Sequence, residues 1–158
     1  MRFRARVYTM TLNSAASPLP VVLYAENDEN DALLMEVCWK RAGLAASLRV
    51  VQDGHEAMDY LSGVGDYADR AAHPFPALVL LDLSMPGCSG LDVLAWVRAR
   101  PGFADLPVLI LSLSNQEKDR AEAMACGASD YVVKPTGLAG FVETLRGWPG
   151  RWLPARSG

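Results

Sequence analysis

The chain has 158 residues and a mass of 17.1 kDa, room for one domain of ordinary size. With 51% hydrophobic and 21% charged residues it has material for a packed core and lies outside the composition of disordered chains. Fifteen Lys and Arg against eighteen Asp and Glu leave −3. Beyond the first twenty residues, which hold Arg2, Arg4 and Arg6 and no acid, the balance is −6. An acidic body lacks the Lys and Arg clusters that a phosphate backbone demands, so the reading is a protein with no nucleic-acid partner. No apolar run approaches the roughly 18–20 residues needed to span a bilayer, so no membrane partner is expected. Cys38, Cys88 and Cys126 have no CxxC spacing, which argues against a disulfide framework or a zinc site and makes the cytoplasm the natural compartment.

In chain order, residues 1–19 mix Arg, Thr, Ser and Ala and are predicted as a flexible leader ahead of a domain over 20–149. Residues 21–25 (Val-Val-Leu-Tyr-Ala) form a short apolar run, predicted as a buried strand. From 29 to 42, Leu33, Leu34, Val37 and Cys38 fall at helical spacing, with Gly43 as the stop. Residues 47–51 alternate and are predicted as a more exposed edge strand. A helix follows over 54–61, a fully buried strand over 77–81, a helix over 91–100, a strand over 108–111 and a helix over 116–126. A strand over 130–133 and a helix over 137–148 complete the pattern, and 150–158 is predicted as a short tail.

Five alternations of short apolar strand and amphipathic helix predict an α/β fold with a parallel sheet covered on both faces. Ligands and chemistry gather at the carboxyl ends of such strands. There the sequence places Glu26, Asn27 and Asp28 after the first strand and Asp82 and Ser84 after the third. Ser112 follows the fourth strand, and Lys134-Pro135 the fifth. Singly, each acid fits a helix cap and each Ser or Lys a turn. Together they bring carboxylates, a hydroxyl and one ammonium to one rim, an arrangement that no apolar packing requires. Carboxylates about 4 Å apart repel by about 4 kcal/mol at an effective dielectric near 20. A divalent cation relieves that repulsion, and oxygen ligands with retained waters suit Mg²⁺. The same parts suit receipt of a phosphoryl group by a carboxylate nucleophile.

Residues 22–28 (Val-Leu-Tyr-Ala-Glu-Asn-Asp), 80–87 (Leu-Leu-Asp-Leu-Ser-Met-Pro-Gly) and 131–135 (Tyr-Val-Val-Lys-Pro) resemble the signature segments of the response-regulator receiver domain of two-component signalling. The spacings of 30 residues from Asp82 to Ser112 and 22 from Ser112 to Lys134 are similar to the family's as well. Asp66-Tyr67-Ala68, in the long segment before the third strand, resembles the phytochrome-associated single-domain regulators. The resemblance implies a flavodoxin-like doubly wound fold with strand order 2-1-3-4-5. It implies Asp82 as phosphoacceptor, Ser112 and Lys134 as phosphate-contacting groups, and a Mg²⁺ site of Glu26, Asn27, Asp82 and the Ser84 backbone carbonyl. It further implies Tyr131 and Ser112 as a switch, and Pro135 in a cis turn. The implied partners are a sensor histidine kinase, of phytochrome type, and a second copy of the chain docked through the fourth helix, fifth strand and fifth helix. The expected role is a phosphoacceptor signalling protein rather than an enzyme.

Asn27 departs from the family pattern, which has a second acid there; an amide oxygen coordinates with one charge fewer, and Asp28 is the neighbouring candidate to compensate or to cap the helix. A phosphorylation-independent scaffold is therefore the alternative. A haloacid-dehalogenase-like phosphatase would need an acid where Ser84 stands, and a flavodoxin-type nucleotide binder a Gly-rich loop after the first strand. Of the remaining features, His55 and His73 are expected at the surface, Cys88 in an exposed loop, and the four tryptophans mostly in the core. Residues 62–76 are expected as a partner-contact segment or a tolerated insertion, at the end of the sheet away from Asp82.

Overall fold

The computed structural model describes residues 6–8 and 18–155. Chain order is β1 (Arg6–Tyr8), β2 (Val21–Ala25), α1 (Glu29–Ala42), β3 (Ser47–Val51), α2 (Gly54–Ser62), β4 (Leu78–Asp82), α3 (Gly90–Arg98), β5 (Val108–Ser112), α4 (Glu117–Ala125), β6 (Asp130–Val133) and α5 (Leu138–Arg146). The sheet order is β1-β3-β2-β4-β5-β6, with β2 to β6 all parallel. Those five strands have the flavodoxin-like order that the sequence predicts.

The two-residue period of the strands sorts their side chains onto two faces. Val22, Tyr24, Leu78, Leu80, Leu109 and Leu111 join Met35 and Trp39 of α1 and Phe141 and Leu145 of α5 in one core layer. Leu23, Ala25, Val79, Leu81, Val108 and Ile110 join residues of α2, α3 and α4 in the other. Trp39 and Trp148 are buried and meet edge to face with ring centroids 6.3 Å apart. The Trp39 indole N–H donates to the Ala46 carbonyl at 3.0 Å, so its one polar atom is satisfied. Leu153, in the predicted tail, also belongs to this layer.

Two strand expectations are corrected. Within the predicted leader, Arg6–Tyr8 forms β1, antiparallel to β3; the rest of that leader lies outside the described residues, apart from 18 and 19. Residues 47–51 are consequently not an edge: all five are buried. Arg49, which breaks the apolar pattern, lays its guanidinium against the chain and donates to the Ala72 carbonyl at 2.9 Å.

The helices begin where their caps stand. Asp28 Oδ1 accepts from the amides of Asn30 and Asp31 and starts α1; Gly43, at φ 65°, ends it in the left-handed region where a Cβ would be strained. Ser89 and Asp92 form a reciprocal capping box on α3. Residues 62–76 are pinned rather than loose. Arg70 donates to the carbonyls of Tyr60 and Leu61 at 2.7 Å each and to that of His73 at 3.2 Å. The Tyr60 hydroxyl donates to the Pro74 carbonyl at 2.9 Å, and the Tyr67 hydroxyl to Glu56. His73 packs edge-on against Tyr60 and Tyr67, a correction to its expected surface role, because the segment folds back over α2. Cys88 is likewise buried, its thiol beside Gly54.

Candidate functional site

Strands β2, β4, β5 and β6 end on the same rim because all run parallel from matched starts. Glu26 continues β2, its amide donating to the Val51 carbonyl at 3.0 Å. Asp82 closes β4, opposite Leu111. The loop after Asp82 folds back so tightly that a Cβ on Gly90 would stand 2.4 Å from the Asp82 carbonyl oxygen. Only glycine fits that approach, and the loop is thereby clamped against the strand end. Ser112 closes β5, and the Lys134 amide donates to its carbonyl at 2.7 Å, which carries β6 up to the same level.

Lys134 is the hub. Its Nζ lies 2.9 Å from Glu26 Oε1, 3.4 Å from Asp82 Oδ1 and 3.3 Å from Asp31 Oδ2. The Lys134 side chain is 8% exposed and that of Glu26 0%, so the pair interacts largely out of water. Burial works to lower the Lys134 ammonium; the Glu26 hydrogen bond and the charges of Glu26, Asp82 and Asp31 outweigh it and hold the group above its ordinary value. Three carboxylates around one ammonium leave negative charge uncompensated. Burial first, and then the neighbouring Asp82, push the Glu26 carboxyl up to about 8 against the pull of Lys134. Glu26 Oε2 is buried and has no donor.

Asp82 Oδ1 also accepts from the Ser84 amide at 3.4 Å. The Ser112 hydroxyl is buried and accepts from the Ser114 amide at 3.1 Å, while the Tyr131 hydroxyl donates to the Ser114 carbonyl at 2.8 Å. Ser114 thus links Ser112 to the buried Tyr131 ring. Asn27 and Asp28 are both exposed, and Asp28 spends Oδ1 on the α1 cap. The expected cis turn at Pro135 is corrected, since no peptide bond among the described residues is cis. Trans is the preferred isomer of an X–Pro bond by about 0.5–1 kcal/mol, and Lys134 reaches the carboxylates from a trans turn.

Two members of the cluster escaped the sequence reading. Asp31 lies in the first turn of α1, three residues past the Asp28 cap, so the start of the helix carries it back to the rim. Tyr24 lies two residues before Glu26, on the same face of β2, and its buried hydroxyl donates to Glu26 Oε1 at 3.3 Å. Burial, and then the charges of Glu26, Asp82 and Asp31, raise the Tyr24 hydroxyl well above its ordinary value, so it stays a donor.

Comparison with known proteins identifies the fold and the family. The chain is 28% identical over 142 residues to the response regulator Rcp1 of Synechocystis sp., covering 90% of this chain and 95% of that protein. It is 36% identical over 102 residues to the transcriptional regulatory protein KdpE of Mycobacterium tuberculosis, of which the matched part is 43%. Among solved structures, response regulator RPA3017 in red light signalling of R. palustris superposes with a TM-score of 0.82 at 39% identity, covering 88% of this chain and 97% of that one. The Mn²⁺-bound form of Rcp1 superposes with a TM-score of 0.73 at 28% identity, covering 87% and 97%. No helix among the described residues is long and apolar enough to cross a membrane. The profile of the response regulator receiver domain matches residues 22–146, and the chain belongs to that family of signalling phosphoacceptors.

Proposed function

We propose that the chain accepts a phosphoryl group on Asp82 from a histidine kinase of phytochrome type, in a Mg²⁺-dependent step, and signals by protein contact. The observation that carries this is Lys134 Nζ at 3.4 Å from Asp82 Oδ1, beside a Glu26 oxygen that is buried without a donor. An Asp82 oxygen attacks phosphorus, the bond from phosphorus to the kinase histidine breaks, and its electron pair returns to the imidazole. Lys134 would neutralise the incoming oxygens, and Ser112 would donate its hydroxyl to them.

The residues present fit Mg²⁺. That ion is held by one or two carboxylates and keeps several waters, and Glu26 and Asp82 bring two carboxylates to one point, 2.9 and 3.4 Å from Lys134 Nζ. Glu26 and Asp82, with the Ser84 backbone carbonyl and the Asn27 amide oxygen, would hold it, and Asp28 is committed to its cap. When bound, it would draw charge from the transferring oxygens. The comparison with Mn²⁺-bound Rcp1 supports a divalent cation in this fold. Occupancy would be reported through Ser112, Ser114 and Tyr131 to the α4–β6–α5 face, where Leu113, Met124 and Val133 are exposed and suit docking of a second copy. The cytoplasm suits a partner of the kinase's soluble transmitter.

A second reading, a scaffold that takes no phosphoryl group, is favoured by the neutral Asn27 together with the engagement of Asp28 as a cap. Incubation with acetyl phosphate and Mg²⁺, read by intact mass beside an Asp82→Asn control, separates the two. An adduct on the wild type alone is the expected result; equal labelling of both removes Asp82 from its role, and labelling of neither establishes the scaffold.

A further inference from the structure

The first turn of α1 holds an acid that the proposed phosphoryl chemistry does not yet use. Asp31 places Oδ2 at 3.3 Å from Lys134 Nζ, the ammonium that also contacts the Asp82 acceptor. An acid in a first turn ordinarily complements the helix dipole, as Glu29 does without touching the cluster. Asp31 does more, because it shares its counter-ion with Glu26 and Asp82.

The charge sum shows what that contact supplies. Ionised Glu26 and Asp82 with Lys134 amount to −1, which leaves a dication under-compensated; Asp31 brings the set to −2. Asn27 is neutral, and Asp28 is engaged by the amides of Asn30 and Asp31. Among the described residues, Asp31 is therefore the remaining acid in contact with the hub. The buried Glu26 Oε2, without a donor, is an independent sign that this cluster has a ligand oxygen to offer. At 44% exposure the Asp31 side chain keeps its own water, which suits an acid acting from outside the ligand sphere of an ion that itself keeps waters.

We propose that Asp31 is a positioning residue of this site: from the first turn of α1 it supplies the negative charge that Asn27 withholds from a divalent cation, and it holds Lys134 between the two carboxylates. The proposal rests on the receiver reading above and deepens it.

The test is Mg²⁺ titration by calorimetry on the full chain, for the wild type, Asp31→Asn, Asp31→Glu, Asn27→Asp and the double variant Asn27→Asp/Asp31→Asn. Asp31→Asn is expected to weaken Mg²⁺ binding about 10-fold, the lower end of what loss of an outer-shell partner costs. Asp31→Glu is expected to restore most of it. With an acid returned at position 27, loss of Asp31 is expected to matter by no more than about twofold, the non-additivity of two groups serving one charge. Unchanged affinity in Asp31→Asn overturns the proposal, as does an equal loss in both backgrounds. A role confined to the helix dipole would lower thermal stability while leaving Mg²⁺ affinity alone. Labelling of Asp82 by acetyl phosphate, run in parallel, separates the two failures. If the wild type labels while Mg²⁺ affinity ignores Asp31, only this proposal falls; if the wild type neither binds Mg²⁺ nor labels, the proposed phosphoryl transfer to Asp82 falls with it.

Discussion

The two ends of the parallel sheet are built on opposite terms. At the carboxyl end, Glu26, Asp31 and Asp82 share one ammonium and a Glu26 oxygen has no donor. At the other end, residues 62–76 turn polar groups inward and satisfy most of them, His73 Nδ1 being the exception. Arg70 caps three carbonyls, Arg49 takes the Ala72 carbonyl, and Tyr60, Tyr67 and His73 stack beneath. The first end holds unspent electrostatic energy that a ligand can release; the second holds hydrogen bonds that are mostly closed. A long connection is therefore no guide to where this molecule acts. The guide is where several charged groups crowd one counter-ion.

That contrast is sharpest at Lys134. Replacing it with Ala is expected to slow phosphoryl uptake from acetyl phosphate by about 10²–10³-fold, the cost of one preorganised donor to developing charge. The domain would remain folded, and quench-flow labelling beside a far-ultraviolet spectrum checks both. An uptake rate within a few-fold of wild type would remove the hub from the chemistry.

At the opposite end the consequences reverse. Arg70→Ala strands three carbonyls, so urea unfolding is expected to show a loss of about 1–3 kcal/mol with Asp82 labelling unchanged. Loss of labelling at full stability would show that the two ends are coupled after all.

The Glu26 proton gives a pH signature. Its carboxyl is raised to about 8 in the folded chain, above the unfolded value of 4.5. Its contribution to stability is therefore complete below 4.5, falls as pH rises, and is lost by about 8. A cation must displace that proton, so Mg²⁺ affinity is expected to rise by up to tenfold per pH unit below about 8 and then level off. Melting temperatures with and without Mg²⁺ across this range measure both slopes, and a flat profile would mean that Glu26 is already ionised.

The smallest expected effect is at Asp28. If it serves only the α1 cap, Asp28→Ala costs about 1 kcal/mol of stability and leaves Mg²⁺ affinity within about twofold. A larger change in affinity would make it a ligand of the site.

Much of this arrangement was legible in residue order. The apolar runs at 21–25, 77–81 and 108–111 correspond to the buried strands Val21–Ala25, Leu78–Asp82 and Val108–Ser112, and such runs identify central parallel strands without any knowledge of their neighbours. Glu26, Asp82, Ser112 and Lys134 follow their strands directly, so parallel topology alone brings them to one rim. The assignment of residues 47–51 to an edge misses because alternation reports what covers a strand, and β1 is remote in the chain.

Local periodicity and the punctuation of Asp, Gly and Pro thus settled the strand–helix alternation and the rim on which the charged residues stand, since both depend on neighbours within a few positions. Folding in three dimensions settled what those residues touch. Asp31 reaches Lys134 across 103 residues, and Glu26 across 108. Arg70 finds the end of α2, and Asp28 turns to its cap. These outcomes rest on distance and desolvation between segments far apart in the chain, which no window of sequence contains.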